Sequence, residues 1–129
     1  NLSIHDLVTL ASLVEKEARY DADRPIIAQV FLKRLKIGMP LQTDASLQYL
    51  MDAPKEDVSI SDTKIDSPYN TYQNAGLPPG PIANPGMAAI EAVLHPADTD
   101  YLYFVADRDG HNHYASTYDE HMALVNEYR

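Results

Sequence analysis

The 129-residue chain has no cysteine and no tryptophan, and only five glycines. Without cysteine it can hold no disulfide, no thiolate metal site and no cysteine nucleophile, although this fixes no compartment. No apolar run approaches the ~20 residues of a membrane-spanning helix, so no membrane contact is expected from this segment itself. The few glycines form no Gly-rich phosphate loop, and no serine sits in a hydrolase-type elbow. Positive charge is scarce too: ten Lys and Arg stand against nineteen Asp and Glu, a formal net charge of −9. A surface of that sign repels phosphate backbones and anionic lipid, so no nucleic-acid partner is expected. The chain opens on Asn1 rather than Met, which reads as a processed chain or a piece of something longer.

What remains, 45% apolar residues with nine Tyr and two Phe as the aromatic supply, suits one domain large enough to shield a carboxyl group from water. Helical spacing of Leu7, Leu10, Ala11 and Val14 predicts a first helix over 3–19, capped by Ser3 or Asp6. A second helix is expected over 23–36, with Pro25 in its first turn and Gly38 as its stop. A short one follows over 45–51. Residues 52–86 are irregular and rich in Pro, Gly, Asn and Ser, yet hold Tyr69, Tyr72, Leu77 and Ile82, which argues for an ordered, functional segment. A helix to Leu94 should begin with Asn84 as cap and Pro85 as its first residue. Tyr101–Ala106 and 111–115 read as a hairpin around Asp109-Gly110. Thr117 and Glu120 form a capping box for a last helix to Tyr128. The expected class is α+β: a single domain of several helices, a long irregular Pro/Gly-rich segment and a small antiparallel sheet.

The first helix carries Glu15-Lys16-Glu17 near its C-terminus. At ~100° per residue Glu17 lies about 20° from Leu10, and Glu15 about 20° from Val8, so both project from a mostly apolar rod. Burial and the negative end of the helix dipole both disfavour the charged carboxylate and raise its pKa, as a general acid requires. Pattern alone does not choose between the two, and either could instead be solvated or paired with Arg19 or Arg24. Tyr69-Asn70-Thr71-Tyr72 and the Pro/Gly loop at 76–82 offer neutral donors and flat rings suited to a sugar; the loop's prolines add stiffness and its glycines allow close backbone approach. A loop tied down merely for stability explains the same residues. His111 and His113, two apart, permit a metal with His121 or an acidic third ligand, but hydrogen-bonding or packing roles are commoner for such pairs.

Five segments in order carry a resemblance: Ala11-Ser12-Leu13-Val14-Glu15-Lys16-Glu17; Leu41-Gln42-Thr43-Asp44; Tyr69-Asn70-Thr71-Tyr72; Gly76-Leu77-Pro78-Pro79-Gly80-Pro81-Ile82; and Tyr101-Leu102-Tyr103-Phe104-Val105-Ala106 followed by Gly110 and His113. Together they resemble the endolytic murein transglycosylase (YceG-like) family over nearly the whole chain. The resemblance implies that residues 1–129 are the catalytic domain, the C-terminal part of a longer membrane-anchored protein at the extracytoplasmic face of the bacterial cytoplasmic membrane. It implies that Glu17 is the catalytic acid, then base, in cleaving the MurNAc–GlcNAc bond within peptidoglycan strands to leave 1,6-anhydroMurNAc ends. It places Gln42, Thr43, Asn70 and Tyr72 in the substrate cleft, joined in the expected binding set by Asp44, Pro79, Gly80 and Glu15, the last either a polar residue of the site or a structural one. No metal or cofactor is implied. Expected partners are peptidoglycan strands and proteins of cell-wall synthesis. Residues 52–66 read as a family-variable insertion. Two rivals stand beside this reading: a lysozyme-like hydrolase using water, with Asp44 or Glu15 as second carboxylate, and a non-catalytic glycan-binding or scaffold module. With so acidic a chain, glycan recognition is expected to fall to neutral groups of the irregular segment and to depend little on salt.

Overall fold

A computed structural model describes residues 2–51 and 58–129. Helix α1 (Ile4–Glu17) begins where Ser3 accepts the Asp6 amide, and α2 (Arg24–Ile37) ends on Gly38 in the left-handed conformation, φ 77°. The short α3 (Asp44–Leu50) and then α4 (Met87–Leu94) follow. Strands β1 (Tyr103–Ala106) and β2 (Asn112–Ala115) pair antiparallel with Tyr103 opposite Ala115 and Ala106 opposite Asn112. Helix α5 (Tyr118–Tyr128) starts with the expected Thr117–Glu120 capping box and packs on the hairpin. The class is α+β, as the sequence reads.

The core lies where α1, α2 and α4 meet. Leu10, Ala11, Leu13 and Val14 of α1, and Ile27, Ala28 and Phe31 of α2, are essentially inaccessible. Ala89 and Ala92 give α4 a face small enough to lie against both. α1 is therefore buried over most of its circumference, which leaves its polar residues few directions to point. Ser12 uses its hydroxyl twice, donating to Thr9 O (2.6 Å) and accepting from the Ile82 amide (3.1 Å), and so moors the Pro/Gly loop to the helix.

One boundary differs from expectation. α4 begins at Met87 with Gly86 at the cap position, rather than with Asn84 capping and Pro85 inside. The Gly86 amide donates to Glu15 Oε1 of α1 at 2.8 Å. In a capping box this acceptor is a carboxylate three residues into the same helix; here that position is Ala89, and a distant helix supplies the carboxylate. The irregular segment contains only a single 3₁₀ turn (Asp62–Lys64) among its described residues. The variable insertion expected over 52–66 lies partly outside the described residues.

The hairpin is fastened to the helices at both ends. Tyr114 Oη donates to Asp23 Oδ1 (2.6 Å), Arg34 Nε to Leu102 O (2.8 Å), and Tyr20 Oη to Asp109 O (2.7 Å) at the turn. Arg19 lies so close over Gly110, φ 86°, that a Cβ there would fall 2.5 Å from its Cδ. These ties hold the hairpin and α5 opposite the C-terminal end of α1, and the gap between them is a cleft.

Candidate active site

Glu17 is the last residue of α1, and its side chain opens into that cleft. Two cavities, of about 360 and 610 Å³, meet at Glu17, Asp44, Ala106, Asn112 and Arg129. The first is walled by Phe31 and Arg34 of α2, Gln42 and Thr43, Tyr103 of β1, and Tyr118 and His121 of α5. The second continues past Glu17 towards the hairpin turn.

Protein crowds the Glu17 carboxyl, and desolvation is the main cause that lifts its pKa from 4.5 to about 7. The nearby Asp44 carboxylate raises it further, while the Ala45 amide and the Arg34 guanidinium pull the other way. Partial access from the cleft is compatible with that shift, because the accessible edge faces a cavity rather than open solvent. The group is an acid held half-protonated near neutral pH, as proton transfer to a leaving oxygen needs.

The segment before α3 is shaped from beneath by hydroxyls. Thr43 is buried, and its amide donates to Thr71 Oγ1 (2.9 Å); Ser46 Oγ donates to Thr43 O (3.0 Å). Gln42 stands just before this anchor at φ 53°, left-handed backbone that costs a non-glycine residue about 1 kcal/mol. Its amide is tied to Thr71 O (3.3 Å), and its side chain is exposed in the first cavity. Asp44 accepts a hydrogen bond from Tyr72 Oη. Arg34 is buried; its guanidinium donates to Leu41 O (2.8 Å) as well as Leu102 O, and lies 5.5 Å from the centroid of the Tyr103 ring. One side chain thus fixes two walls of the cleft.

The expected residues separate into two groups. Glu17, Gln42, Thr43 and Asp44 come together, with Tyr72 touching the cavity through Asp44. Asn70, Pro79, Gly80 and Glu15 line neither cavity at Glu17. Asn70 is fully buried: its Nδ2 donates to Thr63 O and Ile65 O, and its Oδ1 accepts the Tyr72 amide, so it shapes the loop that presents Tyr72. The Pro79 carbonyl contacts His5 Nε2 (2.7 Å), and Gly80 packs beneath Tyr69 and His5. His5 is twelve residues before Glu17, roughly 18 Å along the helix axis. Glu15 is committed to Gly86 and to Arg24, 3.9 Å away.

Arg34, Tyr103, Tyr118 and His121 are cleft residues that sequence reasoning did not assign. Arg34 follows Ile27 and Phe31 at helical spacing on the apolar face of α2, a position where a cation is buried rather than solvated. The three histidines are not brought together. His111 precedes β2 and stacks on Tyr20 (4.4 Å), His113 stacks on Tyr128 (3.8 Å), and His121 lies against Tyr103. Among the described residues no three His, Cys, Asp or Glu side chains gather as metal ligands would.

The sequence matches the model of the YceG-like family over residues 1–127. The chain belongs to the YceG-like family. A protein of Bacillus subtilis (strain 168) named endolytic murein transglycosylase is 52% identical over 127 residues, covering 98% of this chain and 35% of that protein. Another of that name, from Streptococcus pneumoniae (strain D39), is 42% identical, covering 99% of this chain and 24% of its own length. The crystal structure of a YceG-like protein from Listeria monocytogenes matches with a TM-score of 0.91 at 45% identity, over 95% of this chain and 40% of that one. This YceG-like domain therefore spans about a third or less of the curated relatives' length.

Proposed function

We propose that this YceG-like domain is an endolytic peptidoglycan lytic transglycosylase with Glu17 as its single proton-transfer group. The observation that carries the reading is the crowded Glu17 carboxyl, with a pKa of about 7, at the junction of two cavities. The names of the Bacillus and Streptococcus relatives support the substrate class. In the first step Glu17 gives its proton to the oxygen linking MurNAc C1 to GlcNAc, and the C1–O bond breaks. The oxocarbenium-like centre is then attacked by the C6 hydroxyl of the same MurNAc, whose proton passes to the Glu17 carboxylate and regenerates the acid. No water is consumed, and the strand ends in 1,6-anhydroMurNAc. Glycosidases that use water need a second carboxylate to activate it or to attack the sugar; an internal hydroxyl removes that need. The reading places the domain outside the cytoplasmic membrane, anchored by sequence beyond this chain.

One observation favours a second reading. Asp44 shares both cavities with Glu17 and is close enough for its charge to raise the Glu17 pKa. It could activate a water in a lysozyme-like hydrolysis. Mass spectrometry of digested strands separates the two: anhydro ends are expected, whereas products one water heavier would establish hydrolysis. Absence of any cleavage by the full-length protein would leave a glycan-binding module.

A further inference from the structure

The two cavities differ in chemistry, and the difference lies along the cleft. On the far side of Glu17 from the aromatic wall, the larger cavity is edged by Lys16, Arg19 and Arg108, and Arg129 stands where it meets the smaller one. The chain has only ten Lys and Arg and a net charge of −9, yet three of the ten have gathered at one end of one groove, with a fourth at its junction. Arg19 lies over Gly110, and Arg129 donates a hydrogen bond to Ala106 O (3.1 Å). All four residues are exposed. The acids facing them are already engaged. Asp44 accepts from Tyr72, and Asp107 accepts the amides of Asp109 (2.9 Å) and His111 (3.0 Å) and contacts His113 Nε2 (3.0 Å). The lobe therefore sets four cations against two hydrogen-bonded carboxylates, Asp44 and Asp107, and the partly protonated Glu17.

We propose that this lobe binds carboxylates carried on the 3-O substituent of muramic acid, so that charge sets the direction in which a strand lies across Glu17. The inference rests on the glycan reading above and names what the site recognises beyond sugar. The aromatic cavity, whose Arg34 is already committed to two backbone carbonyls, takes sugar faces, and the cation-edged one takes the lactyl group or the peptide attached to it. A carboxylate at an exposed guanidinium or ammonium is held by a screened interaction, so this part of the affinity weakens with salt. That reverses the salt-insensitive recognition expected from the overall charge.

The test measures binding by calorimetry in the full-length protein, in a Glu17→Gln background that separates binding from turnover. Three probes are compared: a neutral N-acetylglucosamine oligomer, strands stripped of peptide that keep the lactyl carboxylate, and strands with intact peptides. Lys16→Ala/Arg108→Ala is expected to weaken binding of carboxylated glycan roughly tenfold, flatten its salt dependence and leave the neutral oligomer unaffected. Lys16→Arg/Arg108→Lys should restore most of the loss. The lactyl carboxyl is an amide wherever a peptide is attached, so loss for peptide-bearing strands alone assigns the lobe to peptide carboxylates, loss for stripped strands alone assigns it to the lactyl carboxylate, and loss for both shows that it takes either. Equal binding of all three probes, independent of salt and of the double substitution, overturns the inference while leaving the glycan reading intact. Failure to bind any probe overturns both.

Discussion

A carboxyl group with a pKa near 7 costs the folded state free energy whenever it is ionised. For Glu17 the unfolded value is 4.5 and the folded value about 7, so between those pH values the native chain holds the proton more tightly than the unfolded chain. Stability from this group is greatest below 4.5, falls as pH rises through the window and reaches a constant penalty above 7, at most about 3 kcal/mol. Glu17→Gln removes the charge but keeps the shape. Thermal unfolding should show the variant more stable than wild type at pH 8 and little different at pH 4; an equal shift at both pH values would mean that the carboxylate is not desolvated. Gln42 offers a second test at this scale. Gln42→Gly relieves the left-handed strain of about 1 kcal/mol while deleting the side chain. The variant should melt no lower than wild type yet cleave strands at least several-fold more slowly; unaltered cleavage would remove Gln42 from the substrate-binding set.

Among the elements, the two glutamates of α1 do different work because two residues turn a helix by roughly 200°. Glu17 faces the hairpin and Glu15 faces α4. Glu15→Ala leaves the Gly86 amide without its acceptor and Arg24 with Asp21 as its remaining carboxylate partner, and should cost about 1 to 3 kcal/mol in denaturant unfolding, with cleavage at low temperature retained. Loss of cleavage without loss of stability would return Glu15 to the chemistry. Asn70→Ala strips a buried side chain of three hydrogen bonds and should cost a similar amount or more, while also freeing Tyr72 from its position against Asp44.

The same contrasts show what the sequence could reveal. Helices α1, α2 and α5 follow from local periodicity and from caps that lie within a few residues, such as Ser3 and Thr117. The start of α4 was not legible, because its cap partner Glu15 is 71 residues away. Asn70, Pro79 and Gly80 look like ligand groups by residue type, yet Asn70 braces the loop that presents Tyr72, and Pro79 and Gly80 lie beside the N-terminal half of α1. Residue type states what a side chain can bond to; only the fold states whether the protein has already used it. Arg34 is the converse: a cation in the last turn of α2, where it suits the helix dipole, also braces the cleft.

At the scale of the whole molecule, net charge proved a poor guide to the site. An excess of nine negative charges coexists with a cleft whose larger lobe is edged by four cations, because charge acts over about 10 Å and not over a whole surface. α1 serves both purposes: its buried face joins α2 and α4 in the core, and its last turn delivers Glu17 to the cleft. The chain spans about a third or less of its curated relatives, and within that span the helices, hairpin and α5 already enclose both lobes of the cleft. The central claim is that Glu17 is the acid on which strand cleavage depends. The most direct measurement is the rate at which wild type and Glu17→Gln cut the same purified, uncrosslinked peptidoglycan strands. The account predicts a loss of at least roughly a hundredfold in the variant, with wild-type activity declining above pH 7. Cleavage by Glu17→Gln at the wild-type rate would contradict it.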